Sequence, residues 1–252
     1  MRVTVLGASP VRPNPGQACT GYLLDAGPRR YLLDAGSGVI GQLLQHARLE
    51  TLDAVFLSHA HPDHCLDLIC LRQSMAYGPD APRESPLPVY ASRDAIGVLE
   101  ALGAVFEPEG FWSGWVVWHA LEASSQLRLD DLAIRFHSTR HYRECLAMRF
   151  EQSGRCLVFG ADGGPQASLA EFASGADLLI AEATLDRRER QPDAWGHLSA
   201  YEAGLLAATA GAKRLLLTHY FESDGGDLLL DAARQACAIP VELAREGAVL
   251  DV

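Results

Sequence analysis

The stretch "LSHAHPDHCLD", Leu57 to Asp67, constrains this chain more than any other. It follows the apolar run Ala54-Val55-Phe56-Leu57 and sets His59, His61, Asp63 and His64 within six positions. A polar loop behind a buried strand has no need of so many costly side chains. Histidine is the commonest metal ligand, and dense His/Asp clusters read as metal sites. If the chain stays extended past the apolar run, the pleat puts His59 and His61 on one face. Pro62 resists continuing the strand and turns the chain. Two ligand pairs thereby point at two neighbouring metal positions.

Such a centre needs further ligands, and other strand ends offer them. His141 follows the strand-like Ile134-Arg-Phe-His-Ser-Thr139. Asp162 follows Leu157-Val-Phe159 and precedes Gly163-Gly164, where the backbone can approach a site closely. His219 ends Leu215-Leu-Leu-Thr218. Each alone reads as a cap or loop residue; together they read as one site. His46 and His119 lie in helical and aromatic contexts and read as surface or packing residues.

Period and punctuation place these residues on an α/β chain. Strands are expected at Val3–Leu6, at Gly21–Asp25 and Arg30–Asp34 around a turn at Ala26-Gly27-Pro28, and at Leu52–Leu57. Later strands are expected at Val89–Ala91, Leu132–Phe136, Leu146–Phe150, Cys156–Phe159, Leu178–Ile180, Arg214–Thr218 and Val241–Leu243. Helical spacing covers Val39–His46, His64–Met75, Ser92–Leu102, Gln166–Ala173, Ser199–Ala210 and Asp227–Cys237. Loops are expected at Ser9–Gly16 and Gly78–Pro88. No linker or repeat divides the 252 residues, so one α/β domain spanning 1–252, with mixed sheets and outer helices, is expected.

Charge and cysteine usage bound the partners. A net charge of −11 argues against general nucleic-acid binding, whose footprint is basic. A metal centre would still be a local positive island in that acidic body, open to a small anion. No apolar run has the length of a membrane span. The six cysteines contain no C-x-x-C pair and read as free thiols of a reducing cytoplasm. Cys65, beside the histidines, reads as core filler.

Taken with Asp34 in "LLDAGSG", His141, Asp162 in "VFGADGG" and His219 in "LLLTHY", the HxHxDH stretch resembles the metallo-β-lactamase superfamily. The resemblance runs over nearly the whole chain. "AEAT" at 181–184 and "GHLSAYEAG" at 196–204 resemble the tRNase Z-like, zinc phosphodiesterase branch. It implies an αββα sandwich with two divalent metals, zinc first, with manganese or iron as alternatives. His59, His61 and His141 would hold one metal, and Asp63, His64 and His219 the other. Asp162 would bridge them, and Asp34 would orient a ligand histidine. His137 competes with His141, but only His141 precedes the apolar–Arg stretch "LAMRF" at the family's distance.

The resemblance also implies chemistry: a phosphodiester opened by a metal-bridging hydroxide, with Asp63 steering its proton. His197, supported by Glu182, would protonate the departing alkoxide. Against this, Glu182 could cap the next segment and His197 could N-cap the helix near Ser199. Arg143 is the candidate phosphate contact among Arg140, Arg143, Arg149 and the run Asp186–Arg190. Trp112, Trp115 and Trp118 could stack a base, though core packing competes. A thioesterase or lactonase of the same fold, or a non-hydrolytic redox or cofactor-pathway metal protein, are the rival readings. The expected partners are a small anionic substrate and, in a homodimer, a second copy of the chain. Structured RNA is not expected, because family members that mature transfer RNA carry a basic arm, for which the path from His141 to Asp162 has no room.

Overall fold

Two seven-stranded sheets lie at the centre of the molecule, a computed structural model that describes residues 1–79, 83, 85–108, 110–185 and 196–252. In chain order the strands are β1 (Arg2–Gly7), β2 (Gly21–Ala26), β3 (Arg29–Leu33), β4 (Ala54–Phe56), β5 (Leu87–Ser92), β6 (Val116–Leu121) and β7 (Gln126–Leu129). They continue as β8 (Leu132–Ser138), β9 (Leu146–Gln152), β10 (Arg155–Phe159), β11 (Leu178–Glu182), β12 (Leu215–Thr218), β13 (Val241–Leu243) and β14 (Val249–Asp251). The helices are α1 (Val39–His46), α2 (Pro62–Cys65), α3 (Asp67–Tyr77), α4 (Arg93–Phe106), α5 (Ala167–Phe172), α6 (Ala200–Ala210) and α7 (Gly226–Arg234). The first sheet runs β14-β1-β2-β3-β4-β5-β6 and the second β13-β12-β11-β10-β9-β8-β7.

Alternation along the strands sorts the side chains into three apolar layers. Val3, Val5, Tyr22, Leu24, Leu33 and Phe56 face Ile134, Phe136, Phe150, Phe159 and Ile180 between the sheets. Phe56 anchors that layer, with the rings of Tyr90 4.8 Å and Phe150 5.9 Å from its own. On the far face of the first sheet, Leu23, Leu32, Val55 and Leu57 pack with Val39 and Leu43 of α1, Leu68 and Leu71 of α3 and Leu99 of α4. On the far face of the second, Val158, Leu179 and Leu217 pack with Leu169 of α5, Ala203 and Ala207 of α6 and Leu229 and Ala233 of α7. The αββα sandwich expected from the sequence is the observed architecture.

Strand direction decides where chemistry can gather. β3, β4, β5 and β6 run parallel, as do β10, β11, β12 and β13. β8 and β10 are both antiparallel to β9 and so share a direction. The loops leaving the carboxyl ends of β3, β4, β8, β10, β11 and β12 hold the site described below, the place where open α/β sheets bind ligands.

The structure departs from the sequence reading in local ways. The strand expected over Leu52–Leu57 is only β4, because Leu49–Thr51 form a 3₁₀ turn just before it. The helix expected over His64–Met75 breaks at Leu66: the amide of Asp67 donates to Ala35 O at 2.9 Å, and the chain restarts as α3. Part of the stretch carrying Trp112, Trp115 and Trp118 becomes β6, while β7 and β14 are short edge strands that the sequence reading did not include. Among the described residues, no helix is long and apolar enough to cross a membrane. The arginine run Asp186–Arg190 and part of the Gly78–Pro88 loop lie outside the described residues.

Candidate metal centre

The HxHxDH loop is held in place by the loop after β3 and by the residue that leads into β2. Ala35 N donates to His64 O at 2.7 Å and Thr20 N to Asp63 O at 3.1 Å. Gly36 makes this approach possible, since a Cβ there would lie 2.0 Å from Asp63 O. Asp67 caps the neighbouring helix, accepting from Ile40 N at 3.0 Å where α1 has no side-chain cap of its own. Asp34, Ala161 and His219 all adopt left-handed backbone, with φ of 57°, 52° and 52°. A left-handed L-residue costs about 1–2 kcal/mol, and such strain gathers at functional sites. Here it falls on two site residues and on the residue before Asp162.

Every metal-ligand candidate from the sequence converges here. His59, His61, His141 and Asp162 offer ligand atoms within 4.8 Å of one another, and so do Asp63, His64 and His219. His59 Nε2 and His141 Nε2 lie 3.0 Å and 3.1 Å from His61 Nδ1. Asp162 sits between the groups: its oxygens lie 3.3 Å from His64 Nε2 and 3.5 Å from His219 Nε2, and 3.9 Å from His59 Nε2 and His141 Nε2. Asp63 Oδ2 lies 3.1 Å from His219 Nε2.

Hydrogen bonds behind the rings fix which nitrogen faces inward. Ser58 Oγ lies 2.9 Å from His59 Nδ1, Asp34 Oδ2 2.8 Å from His64 Nδ1, Gly196 O 2.8 Å from His141 Nδ1 and Thr184 Oγ1 2.7 Å from His219 Nδ1. With each Nδ1 directed outward, four Nε2 lone pairs and His61 Nδ1 point at one space. Outer partners of this kind orient metal-bound histidines.

The donor set fits metal cations. Asp63 Oδ1 and His64 Nε2 are buried without a hydrogen-bond partner. Such orphans are costly unless something else satisfies them. Burial, aided by the neighbouring His64, holds His59 well below the usual histidine range, which keeps it neutral. Burial works against charge at Asp162, yet the imidazoles of His219 and His64 outweigh it and hold that carboxyl well below its ordinary range. Buried carboxylates set among converging imidazole nitrogens form a donor set for a cation, and His with Asp suits zinc, manganese or iron.

Beside this centre stands a second pair. His197 Nδ1 lies 3.0 Å from both oxygens of Glu182, and 3.9 Å from Asp162 Oδ2. Glu182 Oε1 also accepts from Gly163 N at 2.7 Å, and Oε2 accepts from the Thr184 hydroxyl. Burial works to lower the His197 pKa, but the Glu182 carboxylate outweighs it and raises it to about 9. The competing capping roles are filled otherwise: Ser199 caps α6 and forms a capping box with Glu202.

Other candidates lie elsewhere. Arg143, the candidate phosphate contact, makes a doubled hydrogen bond to Asp94 in the first turn of α4, at 2.8 to 3.0 Å. Arg149 is tied to Glu151 and to the carbonyls of Phe172 and Ser174. His137 bonds Ser168 and stacks on Phe172, while His119 stacks on Tyr90. Trp112 is buried and donates to Leu99 O, with Trp115 and Trp118 packed beside the same core. Cys65 is buried filler, whereas Cys145 lies under the site, 3.5 Å from His59 Nδ1. Ser58 was not singled out from the sequence, where its only signal is its place next to His59, and Thr184 was quoted only within "AEAT", without a role of its own.

Comparison with known proteins agrees with this geometry. The family model for the beta-lactamase superfamily domain matches residues 29–220. A probable metallo-hydrolase of Bacillus subtilis, YhfI, is 33% identical over 250 residues, covering 99% of both chains. Its crystal structure superposes with a TM-score of 0.87 at 31% identity, again over 99% of both. Ribonuclease Z of Myxococcus xanthus is 28% identical, covering 100% of this chain and 98% of its own. The human short-form tRNase Z shares the fold at a TM-score of 0.79 and 20% identity, over 100% of this chain and 99% of its own. The chain belongs to the metallo-β-lactamase superfamily.

Proposed function

We propose that this chain hydrolyses a small phosphodiester or nucleotide at a centre of two divalent cations, zinc first. His59, His61 and His141 would hold one cation, Asp63, His64 and His219 the other, with Asp162 between them. The observation that carries this reading is the Glu182–His197 pair, whose histidine lies 3.9 Å from Asp162. Bound cations supply hydroxide at neutral pH, lowering the pKa of water from about 15.7 toward 7, and stabilise charge on the phosphoryl oxygens.

The protein's own residues do the rest. Asp63 Oδ1, unpartnered and buried, receives or steers the proton of the attacking water. Glu182 holds His197 by Nδ1, which leaves Nε2 to carry the proton that a departing alkoxide needs. A phosphodiester expels a poor alkoxide leaving group, so this acid matters; a thioester would need it less. That difference favours the phosphodiester over the thioesterase reading.

We infer a small substrate for two reasons. β9 and β10 join through the two-residue turn Ser153-Gly154, so the path from His141 to Asp162 has no arm to grip RNA. The net charge of −11 repels a polyanion, and phosphate contacts dominate RNA affinity. We propose residues 1–252 as one hydrolase domain working in the cytoplasm, alone or as a homodimer.

The test is a panel of a chromogenic phosphodiester, a thioester, a lactone and a precursor transfer RNA, with the metal-reconstituted protein. Turnover of the small diester above the others is expected. Preferred turnover of the thioester or lactone, or efficient and correctly placed cleavage of the RNA, would overturn this reading.

A further inference from the structure

We propose that Asn14 is a positioning residue of the metal centre, through which the connection between β1 and β2 fixes His219 relative to Asp63. The group of Asp63, His64 and His219 is drawn from both sheets. Asp63 and His64 follow β4 of the first sheet, and His219 follows β12 of the second. A cation shared by the three needs that separation held, and no single strand can hold it.

Asn14 reaches the second sheet from the connection after β1, and it is buried. Its Nδ2 donates to Tyr220 O at 3.1 Å, and its Oδ1 accepts from Glu222 N at 3.0 Å. One amide, which offers donor and acceptor together, thus grips both sides of the turn that leaves His219. That grip has a purpose, because His219 has left-handed backbone with φ of 52°. An L-residue stays in such a region only when its surroundings over-determine it. On the other side of His219, the Tyr22 hydroxyl of β2 is hydrogen-bonded to the Thr218 hydroxyl. His219 is therefore bracketed by two ties from the first sheet and its β1–β2 connection.

Asn14 is itself seated. Its N donates to Ser9 Oγ at 3.1 Å, and its carbonyl accepts from Gln17 N at 3.0 Å. The same connection ends at Thr20, whose N donates to Asp63 O at 3.1 Å. One loop therefore holds the backbone of Asp63 at one end and the turn after His219 at the other. The group of His59, His61 and His141 has its own tie between the sheets, Leu146 N donating to Ser58 O at 3.0 Å. Asn14 has no part in that tie, so its influence falls on one half of the centre.

The proposal rests on the two-cation reading, and the experiment separates the two. Zinc affinities are measured by competition with a chromophoric chelator, and amide hydrogen exchange is followed on the metal-free protein. Asn14→Ala should weaken one zinc equivalent about 10-fold, the lower end of the range for residues that orient ligands, and spare the other. Asn14→Asp keeps the shape and the acceptor for Glu222 N but loses the donor to Tyr220 O, and should weaken the same equivalent. In a His64→Ala background, where only the group of His59, His61 and His141 is complete, Asn14→Ala should change nothing. Exchange should quicken over residues 215–224 and not over 57–67, since it reports local opening. Equal weakening of both equivalents, weakening of neither, weakening in the His64→Ala background, or unchanged exchange over 215–224 would overturn the proposal. Quickened exchange there, with a wild type that retains no metal, would remove the two-cation reading and leave the hold of Asn14 on the turn standing.

Discussion

Asp34 Oδ2 accepts a hydrogen bond from His64 Nδ1 at 2.8 Å, and the same oxygen accepts one from the Ser58 hydroxyl at 2.7 Å. Ser58 Oγ in turn lies 2.9 Å from His59 Nδ1, in position to accept from it. One carboxylate thus sets the tautomer of a histidine in each half of the proposed centre. An asparagine here would turn an NH₂ toward one of these donors. Asp34→Asn should therefore weaken metal binding by about 10–100-fold, the usual scale for such outer partners. Competition with a chromophoric chelator measures this, and both metal equivalents should weaken together. Loss confined to one equivalent would mean that Ser58 does not pass the orientation on.

Gly36 is where two site loops meet. Its missing side chain leaves room for Asp63 O, which an added Cβ would approach to 2.0 Å. Backbone cannot swing aside as a flexible side chain can, so Gly36→Ala should cost about 1–3 kcal/mol, the scale of overpacking. The urea midpoint of the metal-free protein should fall, and metal content should fall with it. A midpoint equal to wild type would mean that the loop relaxes without penalty.

The Glu182–His197 pair predicts a pH signature. His197 works as an acid only while protonated, so activity should decline as pH rises through its pKa. Glu182 raises that pKa, to about 9. Glu182→Gln removes the raising charge, so the alkaline limb of kcat should move to lower pH. His197→Ala should depress substrates with poor leaving groups by about 10²-fold or more, the range of lost acid catalysis. p-Nitrophenyl esters, whose leaving group hardly needs a proton, should suffer far less. An unshifted limb together with an equal loss across the leaving-group series would make the pair structural.

Three candidate ligands, His59, Asp162 and His219, were legible in the sequence because each ends or follows an apolar run, and strand direction then brings them to one edge. His61, Asp63 and His64 were legible from their spacing in one cluster, and His141 from a strand end followed by "LAMRF". Arg143 illustrates the limit, since its bond to Asp94 spans 49 positions that no local pattern connects. Ser58 was passed over because its role comes from neighbours supplied by the fold. The left-handed backbone at Ala161 leaves no trace in composition. Edge strands β7 and β14 were missed because four and three residues are too short a run for alternation to stand out.

Metal stoichiometry tests the central claim most directly. Protein purified without chelator and supplied with zinc, then freed of excess, should retain two metal ions per chain by mass spectrometry of the elements. His64→Ala, which removes a ligand from one group only, should leave about one. A content near zero that added zinc, manganese or iron does not restore would contradict the account, because the centre would then have no metal to hold.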